Sequence, residues 1–466
     1  MPKGPIQRVQ DSVHGLMEFR GMDTLVIEIL RAPELQRLRR IRQLGLGFLV
    51  FPGAEHSRLV HSLGASYLAI KFAAELKHKC RDVMSEVLSP SDSAVRDLAI
   101  AALCHDLGHG PLSHAFEREI IGGEHYGFTK WCDKFGIDTS DREVLQGAKW
   151  HELASFALLA WEDGQLHKML ESHDALFSKR IQYMLRGHYY LDYLPRLLSS
   201  DIDVDRADFI RRDTHQTGVA YGRYDLDWLI STCTVGKVSD KKWVIGFDRR
   251  KSPRVIEQFL LARQALYDTV YYHKTVRSAE GMVARFLERL RDIWQEKGEF
   301  DLGPLGKVYG RLLSKEPIDQ SELLSLDDFS LLVTIERAAG LRGQDETIRD
   351  LGSRIQSRDL FKIVPIASER LNRFLKRSDA YDRLHRAIQP FCQGDAKYYV
   401  HVDESEFQMF REEETEWGYL VDGNRKPIPM RESEELKMHM GNKKEIMRMF
   451  TLAEAVDAVR HTIEEV

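Results

Sequence analysis

Ala102-Leu-Cys-His105-Asp106-Leu-Gly108-His109-Gly110-Pro111-Leu-Ser-His114 is the stretch on which the fold turns. The residues before it, Arg96 to Cys104, form a compact apolar run with helical spacing. Gly108 and Gly110 interrupt that pattern, and Pro111 suits a first helical turn. The spacing predicts a helix ending near Gly108, a bend at Gly110 and a new helix after Pro111. His105 and Asp106 then stand at a helix C-terminus beside an irregular turn.

Histidine is concentrated around this stretch. Of the 18 histidines, eight lie at His56, His61, His78, His105, His109, His114, His125 and His151. Adjacent imidazole and carboxylate groups can meet at one divalent cation, and a mixed N/O donor set suits Fe, Mn, Co, Ni or Zn better than Ca. Two ligands hold a metal poorly, and His173-Asp174 shows that the dipeptide alone arises without such surroundings. Further donors stand in Glu55-His-Ser-Arg58-Leu-Val-His61-Ser-Leu-Gly and in Ser200-Asp-Ile-Asp203-Val-Asp205-Arg206-Ala-Asp208-Phe209-Ile-Arg-Arg-Asp213. Both segments are helix-compatible. Arg58 and His61 are then neighbours at i,i+3, while Asp205, Phe209 and Asp213 line one face at i, i+4 and i+8. A ligand, a ring and a hydroxyl acceptor stand in a row. Taken singly, His61 reads as a core histidine and Asp205 as a cap or ion-pair residue. Taken together, the order His, His-Asp, Asp resembles the ligand pattern of the HD metallophosphohydrolases, and that resemblance implies a metal site.

The rest of the chain reads as mainly α. Thr24 to Ala74 alternates helix, glycine-rich loop and helix; Trp150 to Trp161 is a further helix, and Pro253 to Trp294 a long periodic segment. Strand signals are few: Lys242 to Phe247, Lys397 to Val402, and a hairpin around Asp422-Gly423-Asn424 followed by Pro427 to Met430. These predict small peripheral β elements and a C-terminal α/β appendage. The division expected is a core over 1–295, a helical region over 296–395 and a small α/β element over 396–466. The acidic run Glu412 to Glu416 reads as solvated surface.

Composition narrows the function classes. The 466 residues are 43% hydrophobic and 30% charged, an ordinary globular balance that excludes a mostly disordered chain. Lys and Arg number 67 against 72 Asp and Glu, a net charge of −5, so no global basic field argues for nucleic acid as the main partner. A local basic patch is the only route left to one. The five cysteines, Cys80, Cys104, Cys132, Cys233 and Cys392, never fall in CxxC spacing, which fits a reducing compartment. The first ten residues lack a signal-peptide apolar stretch, and no apolar run approaches a membrane span. A cytoplasmic protein without a membrane partner is expected.

Beyond these readings, the sequence resembles the HD-domain deoxynucleoside triphosphate (dNTP) triphosphohydrolases, a family with mammalian and shorter bacterial members. The resemblance is carried by Gln36-Arg-Leu-Arg-Arg-Ile-Arg-Gln43-Leu44-Gly, by Phe51-Pro-Gly-Ala-Glu-His-Ser-Arg58-Leu-Val-His61-Ser-Leu-Gly, by Leu103 to His114, by Ile202 to Asp213, and by Leu360-Phe-Lys-Ile-Val. It spans most of the chain and covers the C-terminal stretch least well. It implies an HD-type helical core and hydrolysis of dNTPs to deoxynucleoside and inorganic triphosphate. By the same resemblance His61, His105, Asp106 and Asp205 take the metal-ligand places, with Mg possible alongside substrate. His109, His114 and Glu117 fall in or near the catalytic turn, and His151 matches a later family histidine. His114 with Glu117 would position and deprotonate water; His109 and His151 would bind or protonate phosphate oxygens.

Substrate places follow. Arg58, Arg206 and Arg263 match phosphate-binding positions; Gln43, Leu44, Phe209, Asp213, Tyr271 and Tyr272 match positions around sugar and base. Four replacements depart from the family: Glu117 for aspartate, Arg206 for lysine, Phe209 for tyrosine and Tyr272 for glutamine. A bidentate guanidinium suits a phosphate clamp, and Phe209 keeps the ring that would exclude a 2′-hydroxyl. Gln10, Gln36 and Arg39 match regulatory nucleotide positions, whereas Arg31 stands where the family has an aspartate that reads guanine. Relatives assemble as tetramers, so a homotetramer with a dNTP effector is implied. Two alternatives stay open: an HD phosphohydrolase acting on another nucleotide or a nucleic-acid end, and a dNTP-binding sensor.

Overall fold

The computed structural model describes residues 6–81, 89–117, 149–239, 242–298, 302–314, 316, 318–340, 345–407, 418–434, 436 and 444–465. His125, Cys132 and the acidic run Glu412 to Glu416 lie outside them. The chain is mainly α, as its periodicity predicts. Helix α1, Arg58–Cys80, lies against α2, Asp92–Cys104, and both bury small side chains, including Ala65, Ser66, Ala69 and Ala73 on one and Ala99, Ala101 and Ala102 on the other. Small residues let the two backbones approach closely, and Ser66 Oγ donates to the Ala99 carbonyl across the seam (2.7 Å). Ser91 caps α2 by accepting the Ala94 amide.

Four further helices build the site around this pair. Helix α3, Trp150–Ala160, packs onto the turn that follows α2. A Cβ at Gly108 would stand 2.1 Å from the His151 carbonyl oxygen and 2.4 Å from the Ser155 nitrogen, so only glycine admits α3 there. Helix α4, Val204–Thr217, is capped by Asp203, which accepts the Arg206 amide (2.8 Å), and crosses α1 at Gly64. A Cβ on Gly64 would fall 1.9 Å from Asp208 Oδ1, so this glycine makes room for a carboxylate. Helix α5, Pro253–Leu266, and helix α6, Lys274–Lys297, complete the wall of the site.

Two expectations need correcting. The segment from Pro253 to Trp294 is not one helix: a π-helical stretch, Tyr267–Tyr271, ends α5, and His273 then adopts an extended conformation and caps α6 by accepting the Thr275 amide (3.2 Å). The helix before His105 ends at Cys104 rather than near Gly108, because the Gly108 amide is drawn away to Ser155 Oγ (2.8 Å). The predicted restart is present as the short helix His114–Phe116.

The β elements are small. An unexpected antiparallel hairpin opens the described chain, β1 (Ile6–Asp11) with β2 (Gly15–Arg20); Asp11 shapes its turn by accepting the Val13 and His14 amides, both at 2.9 Å. Strands β3 (Cys233–Lys237) and β4 (Trp243–Asp248) are antiparallel. Strand β5 (Lys362–Ile363) joins a three-stranded sheet with β6 (Val400–Phe407) and β9 (Lys444–Thr451), in the order β5-β9-β6. Strand β7 (Tyr419–Val421) pairs parallel with β4 and antiparallel with β8 (Pro427–Pro429), at the predicted hairpin. The C-terminal element is therefore stitched into two sheets shared with earlier parts of the chain. Helix α7, Asp328–Gly340, lies in the central helical region. No helix among the described residues is long and apolar enough to cross a membrane.

Candidate active site

The four residues predicted as ligands converge. His61, on the first turn of α1, sets Nε2 3.3 Å from His105 Nε2, 3.0 Å from Asp205 Oδ1 and 3.7 Å from Asp106 Oδ2. His105 Nε2 lies 3.3 Å from Asp106 Oδ1 and 3.6 Å from Asp205 Oδ1. Each imidazole is oriented from behind: His61 Nδ1 donates to Asp208 Oδ2 (2.8 Å), and His105 Nδ1 donates to the Ala102 carbonyl (2.7 Å). Such outer partners fix which ring nitrogen faces inward. Asp208 is itself gripped by Arg212, at 2.7 and 2.9 Å, and by His14 Nε2 at 2.6 Å, while Arg212 also reaches Asp11.

The electrostatics of this cluster call for a cation. Burial opposes charge on His61, yet its bonds to Asp205 and Asp208 raise its pKa to about 10. Burial likewise opposes ionisation of Asp106, but Arg58 and the neighbouring imidazoles hold it well below the usual carboxylate range. The Nε2 atoms of His61 and His105 and the Asp205 carboxylate form a donor set suited to a divalent metal ion, with the ionised Asp106 beside them, so the residues present fit one.

A second group lies beside the first, with Asp106 bridging them: its Oδ1 is 3.3 Å from His109 Nε2. Glu117 sits between two imidazoles, 2.8 Å from His109 Nδ1 and 2.6 Å from His151 Nδ1. The His109 and His151 rings stack, with centroids 4.0 Å apart. Burial works against its charge, but His151 and His109 hold Glu117 well below the usual carboxylate range. His114 is different: its side chain is 62% exposed and its Nδ1 is 4.0 Å from Glu117 Oε2, the longest of the three distances.

Next to both groups is a cavity of about 350 Å³. Gln43, Leu44, Arg58, Phe209, Asp213, Tyr271 and Tyr272 all line it, together with His114. Asp213 accepts from Tyr271 Oη (2.6 Å) and from His56 Nε2 (2.8 Å), and the Phe209 ring meets Tyr271 edge-on with centroids 6.2 Å apart. Gln43 Oε1 is buried with no hydrogen-bond partner among the described residues, an acceptor left for a ligand. Arg58 donates to Ser113 Oγ (2.7 Å) and to Asp106 Oδ2 (2.5 Å).

Arg206 and Arg263 are not in that lining: Arg206 donates to the Ser200 carbonyl (2.6 Å) and pairs with Asp203, while Arg263 lies 4.0 Å from Asp201. Of the regulatory positions, Gln36 accepts from Arg39 Nε (2.8 Å), and Gln10 is exposed on β1. Sequence reasoning assigned no role to His14, His56, Asp208 or Arg212. Asp208 was findable, because it follows Asp205 by three positions on the same helix.

Residues 58–208 match the HD domain family. It is 28% identical over 462 residues to the uncharacterized protein YwfO of Bacillus subtilis, covering 97% of this chain and 90% of that one. It is 27% identical over 383 residues to the deoxynucleoside triphosphate triphosphohydrolase SAMHD1 of Gallus gallus, covering 80% of this chain but 58% of that protein. The crystal structure of a phosphohydrolase from Bacteroides thetaiotaomicron shares the fold at a TM-score of 0.70 and 23% identity, covering 96% of this chain and 100% of the other.

Proposed function

We propose that the protein is a metal-dependent dNTP triphosphohydrolase, releasing deoxynucleoside and intact triphosphate. The observation that carries this reading is the cation-type cluster of His61, His105, Asp106 and Asp205 beside a cavity walled by Phe209, Asp213 and Tyr271, with Gln43 Oε1 left unpartnered. A bound divalent ion, such as Fe, Mn, Co, Ni or Zn, with Mg possible alongside substrate, would supply positive charge to phosphate oxygens and acidify water.

The chain's own residues supply the rest. Arg58, buried beside Asp106 and lining the cavity, neutralises the α-phosphate as charge grows in the transition state. His109 and His151 use Nδ1 on the Glu117 side, which leaves Nε2 of His151 to give a proton to the departing triphosphate oxygen. His114, exposed to the cavity, orients the incoming water. Asp213 accepts the sugar 3′-hydroxyl, and the Phe209 ring lies where a 2′-hydroxyl would stand. Arg206 and Arg263 reach the outer phosphates after leaving their present acidic partners. A homotetramer with a dNTP effector near Gln10, Gln36 and Arg39 belongs to the same proposal.

The test is anion-exchange separation of products from each dNTP, singly and mixed, with Mn²⁺ or Mg²⁺ and with Asp205→Ala as control. Whole triphosphate and deoxynucleoside, lost in the control, are expected. No triphosphate from any dNTP or mixture with either metal, or nucleotide binding without turnover, would overturn the assignment.

A further inference from the structure

The turn that follows α2, residues 105–113, is held in an unfavourable shape. Leu112 and Ser113 both have φ of 56°, a region that side-chain-bearing residues occupy only where their surroundings over-determine it. Two fully buried charged residues, both outside the stretch matched to the HD domain, provide that constraint.

Arg37 donates through Nη1 to the Leu107 carbonyl (3.1 Å), through Nη2 to the His109 carbonyl (2.6 Å) and through Nε to the Leu326 carbonyl (2.9 Å). Asp328 accepts the Leu112 amide on Oδ1 (2.8 Å) and the Arg42 amide on Oδ2 (2.9 Å). The Arg42 carbonyl in turn accepts from Ser113 Oγ (3.0 Å). One corner of the helical region, Leu326 to Asp328, thus reaches the turn from 216 positions away in the chain, measured from Leu112 to Asp328.

A carboxylate at the start of α7 would ordinarily cap its own helix. Here Asp327 does that work, accepting the Ser330 amide (2.8 Å), and both oxygens of Asp328 are committed to other segments. We propose that Asp328 and Arg37 are positioning residues that hold the 107–113 turn so that His109 and His114 face Glu117 and His151. The proposal rests on the functional reading above in treating that turn as the reactive part of the site.

Asp328→Asn keeps the shape but turns an NH₂ toward one of the two amides. By hydrogen-exchange mass spectrometry, the peptides covering 105–113 and 40–45 should exchange about tenfold faster or more, with α1 and α4 unchanged. dNTP turnover should fall about 10- to 100-fold at unchanged KM. In a background lacking both positioned groups, His109→Ala with His114→Ala, the same substitution should cost less than about threefold, because what it positions is already gone. A merely structural defect would multiply with that double substitution instead.

Unchanged exchange at 105–113, exchange raised throughout the fold, or multiplicative losses would each overturn the proposal. Arg37→Lys, which cannot span three carbonyls, should reproduce the pattern and serves if Asp328→Asn does not fold. If the wild type hydrolyses no dNTP, the functional reading fails by itself and the exchange measurement still decides this one.

Discussion

Two clusters of histidine and acid lie side by side in this molecule, and in each the ligand-type atoms fall within 4.8 Å of one another. Distance alone would let either hold an ion. Their surroundings differ. In the cluster of His61, His105 and Asp205, joined by Asp106, the Nδ1 atoms are tied back to Asp208 and to the Ala102 carbonyl, so Nε2 atoms and carboxylates point at one centre. In the cluster of His109, His114, Glu117 and His151, one carboxylate lies beside two Nδ1 atoms, and His109 Nε2 is turned to Asp106 Oδ1. The first arrangement concentrates negative charge for a cation; the second balances a carboxylate against protons. A histidine's role is set by what its other nitrogen touches.

The comparison breaks most readily at Asp205. Asp205→Ala should lose bound metal and lower turnover by about a thousandfold or more, read by elemental analysis beside the product assay. Glu117→Gln and His151→Ala should do the opposite for metal: full occupancy by elemental analysis, with turnover down about 10²- to 10⁴-fold. Metal loss in either variant would erase the distinction between the clusters.

A smaller effect sharpens it. Asp208→Asn weakens the acceptor behind His61 and should lower metal affinity about 10- to 100-fold, with turnover recovering as metal is raised. Failure to recover would mean that Asp208 does more than orient an imidazole. The smallest change expected is Phe209→Tyr, which adds a hydroxyl to a ring already placed by Tyr271; kcat/KM for dNTPs should move less than about threefold.

The first cluster was legible because the order His61, His105-Asp106, Asp205 resembles a known ligand pattern. Helical spacing added only that Arg58 neighbours His61 on α1 and that Asp205, Phe209 and Asp213 share one face of α4. The mainly α body and the hairpin near Asp422 were legible because periodicity and turn chemistry are local. What was hidden depends on contacts between distant segments. Asp328 meets Leu112, and Arg37 meets Leu107 and His109, through backbone groups that carry no side-chain signature. The early end of α2 follows from Ser155 capturing an amide 47 positions earlier. The break between α5 and α6 follows from a π-helical turn at Tyr267–Tyr271, where Tyr271 reaches Asp213. Arg206 and Arg263, read as phosphate clamps, lie among Ser200, Asp201 and Asp203, an acidic setting that face periodicity does not reveal.

The most direct test is anomalous X-ray scattering from crystals of the protein loaded with Mn²⁺. The account predicts a strong peak between His61, His105, Asp106 and Asp205 and none within ligand distance of Glu117. A peak among His109, Glu117 and His151, with the first cluster empty, would contradict it.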